Sequence, residues 1–504
     1  MSLSIEEEKR IFNSLQKQNC CLRCCFRFIC WRTQECYEDP IKIANSLGYI
    51  TEKDVSSNDE VPCTACLGIL QNRMQESVIQ KIQTEVEKQN YDSETFVSAL
   101  TVPTCVNFRE RLLHMQCGLE LGLSESALTS LKLKMQTIKD VWKLVITPKV
   151  EQAIRKQVDA TTPSAFLIEI ILMYKYNEKE CESLLSMYKG TKSAVNKRKR
   201  KCNDNRFSRK SIETLMTNIT DEEFAQCFKD FSLETPASAD VENIVCSHSS
   251  IFIGGRYNKL SRELSQTPWF INGEKKMQTS VQDILGNPIA EAVGAQSIKF
   301  LSSGREDVDV RNIHAGRPFA IELINPRMTK ITDELLLNLV DKINQSSQQV
   351  QITSNLKVLS RLDLKVLKEG ENVKTKFYRA LCICRDISKD ALPLETLNDL
   401  KRVKIVQKTP VRVLHRRPLS PRIRLIYEMR ARWAKPQELK KLLDTASEDP
   451  SVFFVLDIKT QAGTYVKEFV HGDFGRTKPS LCDILNTEVD IVALDVTGIN
   501  LNWP

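Results

Sequence analysis

The sequence predicts an α+β protein with a mixed β-sheet in its carboxy-terminal half, and three observations carry that prediction. Between about residues 70 and 190 apolar residues recur at helical spacing. From about residue 244 onward, short β-branched and aromatic runs become frequent. Those runs alternate with helical segments too unevenly for a regular βαβ array. No internal repeat of solenoid period is present. With 504 residues the chain is long enough for roughly three domains and at least one large buried core.

The stretch up to residue 75 holds most of the close-spaced cysteines. Cys21-Leu22-Arg23-Cys24 and Cys63-Thr64-Ala65-Cys66 are two CxxC pairs, with the polar loop Glu52 to Glu60 between them. Four thiolates close a tetrahedral zinc shell, and each CxxC turn supplies two of them. The competing interpretation is a redox dithiol in one pair and buried thiols in the other. Cys20 and Cys25 flank the first pair as substitute ligands. A zinc site of this kind stabilises a module and needs no catalytic role.

Residues 76–240 follow. Val78, Ile79, Ile82 and Val86 place an amphipathic helix over Ser77 to Glu87, and Phe96 to Val102 reads as a strand. Lys189 to Lys210 is a polar, basic connection. Within it, Lys197-Arg198-Lys199-Arg200-Lys201 suits nuclear import, phosphate contact or a plain solvated loop.

In residues 241–504 the expected strands are Ile244 to Cys246, Ile251 to Ile253, Tyr378 to Cys384, Phe453 to Ile458 and Ile491 to Val496, with a helix over Thr332 to Asn344. Ile251-Phe252-Ile253 is expected to end in a Gly254-Gly255 turn. That turn would present Arg256 and Lys259 to a phosphate, or would be an ordinary turn. Lys401 to Arg424 carries nine cations (Lys401, Arg402, Lys404, Lys408, Arg412, Arg416, Arg417, Arg422, Arg424) and no carboxylate. Val411, Val413, Leu414 and Leu419 would anchor it to a core. Like charges so concentrated repel unless a polyanion neutralises them, which points to nucleic acid. Residues 432 to 450 read as an extension between two strands.

Composition removes several function classes. None of the 17 glycines falls into a GxGxxG or GxxxxGK[ST] pattern, which weakens nucleotide-cofactor and methyl-donor binding. Five histidines supply little imidazole chemistry. A net charge of +8 permits a polyanionic partner without demanding one. The start, Met1 to Glu8, carries acid where a secretory signal carries base, and no apolar run is long enough to span a bilayer. The expectation is an intracellular protein, not bound to membrane, whose 17 cysteines form no disulfide framework.

The densest charge cluster is Gly304-Arg305-Glu306-Asp307-Val308-Asp309-Val310-Arg311, just after the apolar Ile298 to Leu301. A carboxylate beside arginine stays anionic, as a nucleophile must. On residue chemistry alone a surface salt-bridge network explains the cluster as well. The segment resembles the GRxD motif of pseudouridine synthases. Together with Gly316-Arg317-Pro318-Phe319-Ala320-Ile321-Glu322-Leu323, it is similar to the archaeal and eukaryotic tRNA pseudouridine synthase family that carries an N-terminal accessory domain. Arg256 to Lys259, Gln266 to Trp269, Lys408 to Pro418, Thr460 to Phe469 and His471 to Pro479 extend the resemblance, which covers about residues 245 to 504. In the amino-terminal half, the cysteine pairs resemble the family's zinc-binding pairs, and the middle resembles its THUMP-containing RNA-binding module.

The resemblance implies three domains: a four-cysteine zinc module (1–75), a THUMP-like RNA-binding region with a basic linker (76–240) and a catalytic domain of pseudouridine synthase fold (241–504). It implies isomerisation of uridine to pseudouridine in the T-loop of tRNA, at tRNA positions 54 and 55, by a monomer divided between nucleus and cytoplasm. No cofactor enters the chemistry, and zinc, held by Cys21, Cys24, Cys63 and Cys66, is structural. Asp307 matches the family's nucleophile. Tyr378 matches the tyrosine that stacks on the target base and would assist loss of the C5 proton. Lys467 matches the basic partner that keeps the aspartate ionised. Asp309, two residues on, falls outside the motif. Arg305 would help hold the extruded nucleotide, and Arg256, Lys259, Arg412, Arg416 and Arg417 would contact RNA. One departure stands beside the motif: where the family shows a bulky residue and glycine, this chain has Asn312-Ile313-His314-Ala315. The rival function is a non-catalytic binder of structured RNA, such as a tRNA chaperone or a microRNA-precursor binder.

Overall fold

The computed structural model describes residues 4–51, 61–122, 125–159, 164–192, 208–235, 237–373, 375–385, 392–442 and 453–503. The Glu52 to Glu60 loop, the cations Lys197 to Lys201 and the later part of the 432–450 extension therefore lie outside the described residues. Among the described residues no helix is long and apolar enough to cross a membrane. Two compact units, Met1–His248 and Ser249–Pro504, stand where composition divides the sequence into three stretches.

The first unit contains a four-stranded sheet: β1 (Thr95–Thr101), β2 (Gln157–Val158), β3 (Phe166–Met173) and β4 (Asp240–His248), in the order β2-β1-β3-β4. β1 is parallel to β2 and β3, and β4 runs antiparallel to β3. The strand expected at Ile244 to Cys246 is thus present, but it completes this sheet rather than opening the carboxy-terminal one. On β3, Phe166, Ile168, Ile170 and Leu172 are buried on one face, the period of two that a half-buried strand requires. The helix Asn72–Gln89 buries Met74, Val78, Ile82 and Val86 and ends at Asn90 in a left-handed conformation, φ 53°. The cysteine-bearing residues share this core: Phe12, Phe26, Cys24 and Cys66 belong to one continuous apolar cluster with Phe96, Trp142 and Ile168.

The second unit is built on an eleven-stranded mixed sheet. Its strands are β5 (Ile251–Lys259), β8 (Ser297–Ser302), β9 (Arg311–Ile324), β10 (Val350–Ile352), β11 (Lys357–Leu359), β12 (Thr375–Ile383), β13 (Lys401–Gln407), β14 (Arg422–Trp433), β15 (Phe453–Gln461), β16 (Thr477–Lys478) and β17 (Asp490–Ile499). A separate hairpin pairs β6 (Phe270–Ile271) with β7 (Glu274–Lys275). The main order is β10-β5-β9-β17-β12-β15-β14-β13-β16, with β11 added to β5 and β8 to β9. All its pairings are antiparallel except β9 with β17. That parallel seam joins two apolar clusters. Helices Val281–Val293 and Asp333–Ser346 cover the β5/β9 side, and helices Val466–His471 and Leu481–Leu485 lie over the other.

Two sequence expectations change here. Gly254-Gly255 is no turn: β5 runs straight through it. A Cβ on Gly254 would lie 2.5 Å from the Phe319 carbonyl and 2.5 Å from Leu359, so glycine serves close approach of β9 and β11. Of the four apolar anchors expected in the basic segment, only Val413 is buried. Val411, Leu414 and Leu419 are exposed on the 3-10 turn Val411–Arg416 and the loop after it.

Candidate active site

The segment between β8 and β9 lays Asp307 in the wall of a cavity of about 450 Å³. Gly304 starts it with φ 93°. A side chain there would crowd Lys376 Nζ at 2.8 Å and Arg317 Nη1 at 3.1 Å, so only glycine lets two cations approach. Glu306 and Asp307 then face opposite ways. Glu306 turns inward and is wholly buried, paired with the equally buried Arg317 at 2.6 Å. The Tyr257 hydroxyl donates to its other oxygen at 2.7 Å, and Gln266 bridges Tyr257 (3.0 Å) and the Gly304 carbonyl (3.2 Å).

Lys259 supports the segment from beneath. Its Nζ donates to the carbonyls of Leu264, Asp307 and Val308 at 2.8, 3.1 and 2.6 Å. Burial pushes its pKa down to about 8 against the pull of Glu306. At the far end Arg311 grips the buried Asp495 of β17 with two bonds, 3.0 and 2.8 Å, and Arg262 adds a third at 2.6 Å.

Asp307 faces the cavity. Its Oδ2 lies 2.8 Å from Arg412 and 3.7 Å from Lys467. The closer cation is thus Arg412, expected as an RNA contact, and not Lys467. Arg412 is aimed by Glu468, which is 2% exposed and accepts from Arg412 Nε at 2.6 Å. Lys467 sits nearer Asp309, at 2.6 and 2.8 Å. Burial alone would raise the Asp309 carboxyl, but the Lys467 hydrogen bond and charge hold it below its usual value. Asp309 is exposed and does not line the cavity, whereas Asp307 does.

Tyr378, on β12, is half-buried in the cavity wall. Burial pushes its pKa up to about 12, with Arg317 opposing and Glu306 assisting. A phenol at that value is protonated near neutrality, so the side chain offers a ring face and a hydrogen-bond donor to the cavity. Arg305 is exposed and reaches Thr267 Oγ1 at 3.2 Å on the cavity rim.

Not every expected RNA contact lies here. Arg412, Arg416, Arg417, Arg422 and Arg424 line the cavity, while Lys401, Arg402, Lys404 and Lys408 do not. Arg256 spends its guanidinium on the carbonyls of Gly316, Leu501 and Trp503, and Lys259 is fully buried. Both assignments as phosphate ligands fail because β5 continues past the glycines and carries these side chains into the protein. His314 is exposed, takes φ 68° and does not line the cavity, so it is no base for the reaction. The histidine thus adopts a left-handed conformation that glycine would take more readily.

Sequence reasoning missed Glu306, Arg317, Glu468 and Lys376, which also lines the cavity. A charged residue gives no sequence signal of being buried; only the alternation Glu306-in, Asp307-out could have hinted at it. In total nine cations and two carboxylates line the cavity, a balance suited to a polyanion.

In the first unit, Cys21, Cys24, Cys63 and Cys66 are buried with their sulfurs all within 4.8 Å of one another, so the cluster could hold a metal ion. Cys21 and Cys66 sulfurs lie 3.9 Å apart, close to the edge of a tetrahedron of Zn–S bonds of about 2.3 Å. Backbone N–H groups of Cys21 and Cys66 point at Cys63 Sγ at 3.2 and 3.5 Å, and Arg27 donates to Cys24 Sγ at 3.6 Å. Burial pushes the Cys63 thiol up, but hydrogen bonds from Cys20, Cys21, Cys24 and Cys66 outweigh it and hold it well below its usual value.

Comparison with known proteins gives the family of the chain. The family model described as Pus10, C-terminal, matches residues 252–500, and that described as Eukaryotic Pus10, N-terminal, matches residues 63–246. The tRNA pseudouridine synthase Pus10 of Xenopus laevis is 33% identical over 540 residues, covering 100% of this chain and 99% of that protein. The Homo sapiens protein of the same name is 35% identical over 443 residues, covering 88% of this chain and 79% of its own length. Among solved structures, a Cbf5-Nop10-Gar1 complex aligns over 48% of this chain and 49% of that one, at 13% identity and a TM-score of 0.26, too slight a likeness to bear on the argument. The chain belongs to the Pus10 family of tRNA pseudouridine synthases, isomerases of tRNA uridine.

Proposed function

We propose that this isomerase acts on T-loop uridines of tRNA, at positions 54 and 55, with Asp307 as its nucleophile. The observation that supports this most directly is Asp307 Oδ2 held between Arg412 and Lys467 in a cation-lined cavity whose wall includes Tyr378. The target uridine leaves its stack and enters the cavity. Cations on the rim hold its phosphates, and Tyr378 stacks on the uracil. Asp307 attacks the ribose or the base; the N1–C1′ bond breaks, the uracil rotates, and a C5–C1′ bond forms as the C5 proton leaves to water and N1 takes up a proton from water. With one proton lost and one gained and the aspartate released, product and substrate are isomers, so no redox partner or group donor is needed.

The test is tritium release from a tRNA transcript labelled at uracil C5, wild type beside Asp307→Asn. Release by wild type alone is expected. Release by the variant would remove Asp307 from its role, and no release from either, with tRNA still bound, would favour the non-catalytic RNA binder.

For the first unit we infer zinc as the metal of the four-cysteine cluster, within an accessory unit that grips the tRNA body. Bound zinc supplies charge that keeps four buried thiolates together. Elemental analysis should give about one zinc per chain, lost when Cys63 and Cys66 are replaced by Ser; folded protein free of metal would refute it.

A further inference from the structure

Beside the basic rim of the cavity the backbone adopts a costly path. Gly472, Asp473, Phe474 and Gly475 are all left-handed, with φ of 78, 48, 55 and 77°. Glycine accepts this freely and aspartate tolerates it, but a bulky phenylalanine does not. Nor does burial compensate, because Phe474 is 94% exposed.

The turn is nevertheless tightly fixed. Asp473, 5% exposed, accepts from the Val411 N–H at 3.2 Å, and its own N–H donates to His471 Nδ1 at 3.1 Å. Thr477 N–H closes onto the Gly472 carbonyl at 3.1 Å, and Lys408 N–H onto the Arg476 carbonyl at 2.9 Å. The Arg476 guanidinium holds the Thr409 carbonyl at 3.0 and 2.7 Å. The turn is therefore fastened to residues 408–411, immediately before Arg412, which contacts Asp307.

Strain that the surroundings over-determine, ending in an aromatic ring left in water, marks the ring as what the turn presents. Cations that track phosphates beside an exposed ring are the means by which unpaired strands are held, since every base offers a face to stack on. The ring's companions in the turn are glycines and an aspartate.

We propose that Phe474 stacks on an unpaired RNA base near the nucleotide that occupies the Asp307 cavity. This rests on the tRNA reading above, and binding rather than turnover decides it. In full-length Asp307→Asn protein, affinity for an unmodified tRNA transcript is measured with Phe474→Leu, Phe474→Gly and Phe474→Trp. Leu and Gly should weaken binding by about tenfold or more. Trp should retain it, with indole emission quenched on adding tRNA beyond the change shown by the parent and its five native tryptophans. The Gly variant relieves the left-handed strain and should melt no lower than its parent, which separates lost stacking from lost folding. A Leu variant binding within about twofold of its parent, or a Trp variant quenched by tRNA no more than its parent, overturns the proposal. With Asp307 intact, a Phe474→Leu protein that binds and isomerises normally defeats the stacking role alone. A wild type that binds but never isomerises defeats the catalytic reading and leaves the stacking role standing, while isomerisation by Asp307→Asn defeats only the nucleophile.

Discussion

The two walls of the cavity are made in opposite ways. The segment Gly304 to Arg311 is anchored by buried partners: Arg317 and Tyr257 on Glu306, Lys259 on the carbonyls behind Asp307, and Asp495 on Arg311. The facing segment, Val411 to Arg424, has one buried apolar anchor, Val413, and carries its cations into solvent. On the proposed mechanism the first wall positions an attacking atom and must be finished before substrate arrives. The second, on the same reading, meets a flexible polyanion, where charge density matters more than fixed geometry. The comparison yields a rule that can be tested: damage to the first wall should appear as lost stability and turnover, damage to the second as lost affinity.

The largest effect should come from Glu306→Gln. The substitution keeps shape but leaves the Arg317 charge buried without its partner, which costs about 3–5 kcal/mol. Urea unfolding followed through the second unit should shift to a clearly lower midpoint, and tritium release should fall even where the protein remains folded. Replacing Glu306 and Arg317 together by Leu and Met should recover part of the stability, since apolar pairs often substitute for buried ion pairs, but not the turnover. If Glu306→Gln proves as harmless as a rim substitution, the first wall is not prebuilt and the contrast collapses.

The second wall was the more legible in sequence. Nine cations without a carboxylate between Lys401 and Arg424 point to a polyanion from composition alone, and the structure brings the cations from Arg412 onward to the cavity. Strand and helix positions were legible wherever burial is one-sided, as on β3 and on the helix Asn72–Gln89. The first wall was legible only through its motif. That Arg256 and Lys259 point inward depends on β5 passing through Gly254-Gly255, and those glycines look like a turn until β9 and β11 are seen to crowd them. Arg412 is sequence-distant from Asp307, and nothing local tells it apart from Arg416. The three-dimensional aim of one arginine comes from Glu468, buried on another element.

For the second wall, Arg416→Ala with Arg417→Ala is the matching experiment. Both side chains are exposed, so stability should change by no more than about 0.5 kcal/mol per site. Affinity for tRNA should drop, and the slope of log K against log salt should become shallower by about 0.7–0.9 for each phosphate no longer neutralised. Titration of binding across salt concentrations measures it. An unchanged slope would mean that these arginines do not meet phosphate, and that the rim acts through Arg412, Arg422 and Arg424 instead.

The smallest effect belongs to a residue between the walls' concerns. His314 stands on β9 with φ 68°, exposed and outside the cavity, at the stretch where the sequence departs from its family. A left-handed residue other than glycine costs about 1–2 kcal/mol, and glycine returns about 0.4–1 kcal/mol of that through the greater freedom of the unfolded chain. His314→Gly should therefore stabilise the second unit by about 0.5–1 kcal/mol, read as a slightly higher urea midpoint. Tritium release should be unchanged over the pH range in which an imidazole titrates. A loss of activity confined to the variant would show that the imidazole takes part after all, and that the wall carrying Asp307 extends further along β9 than its buried anchors indicate.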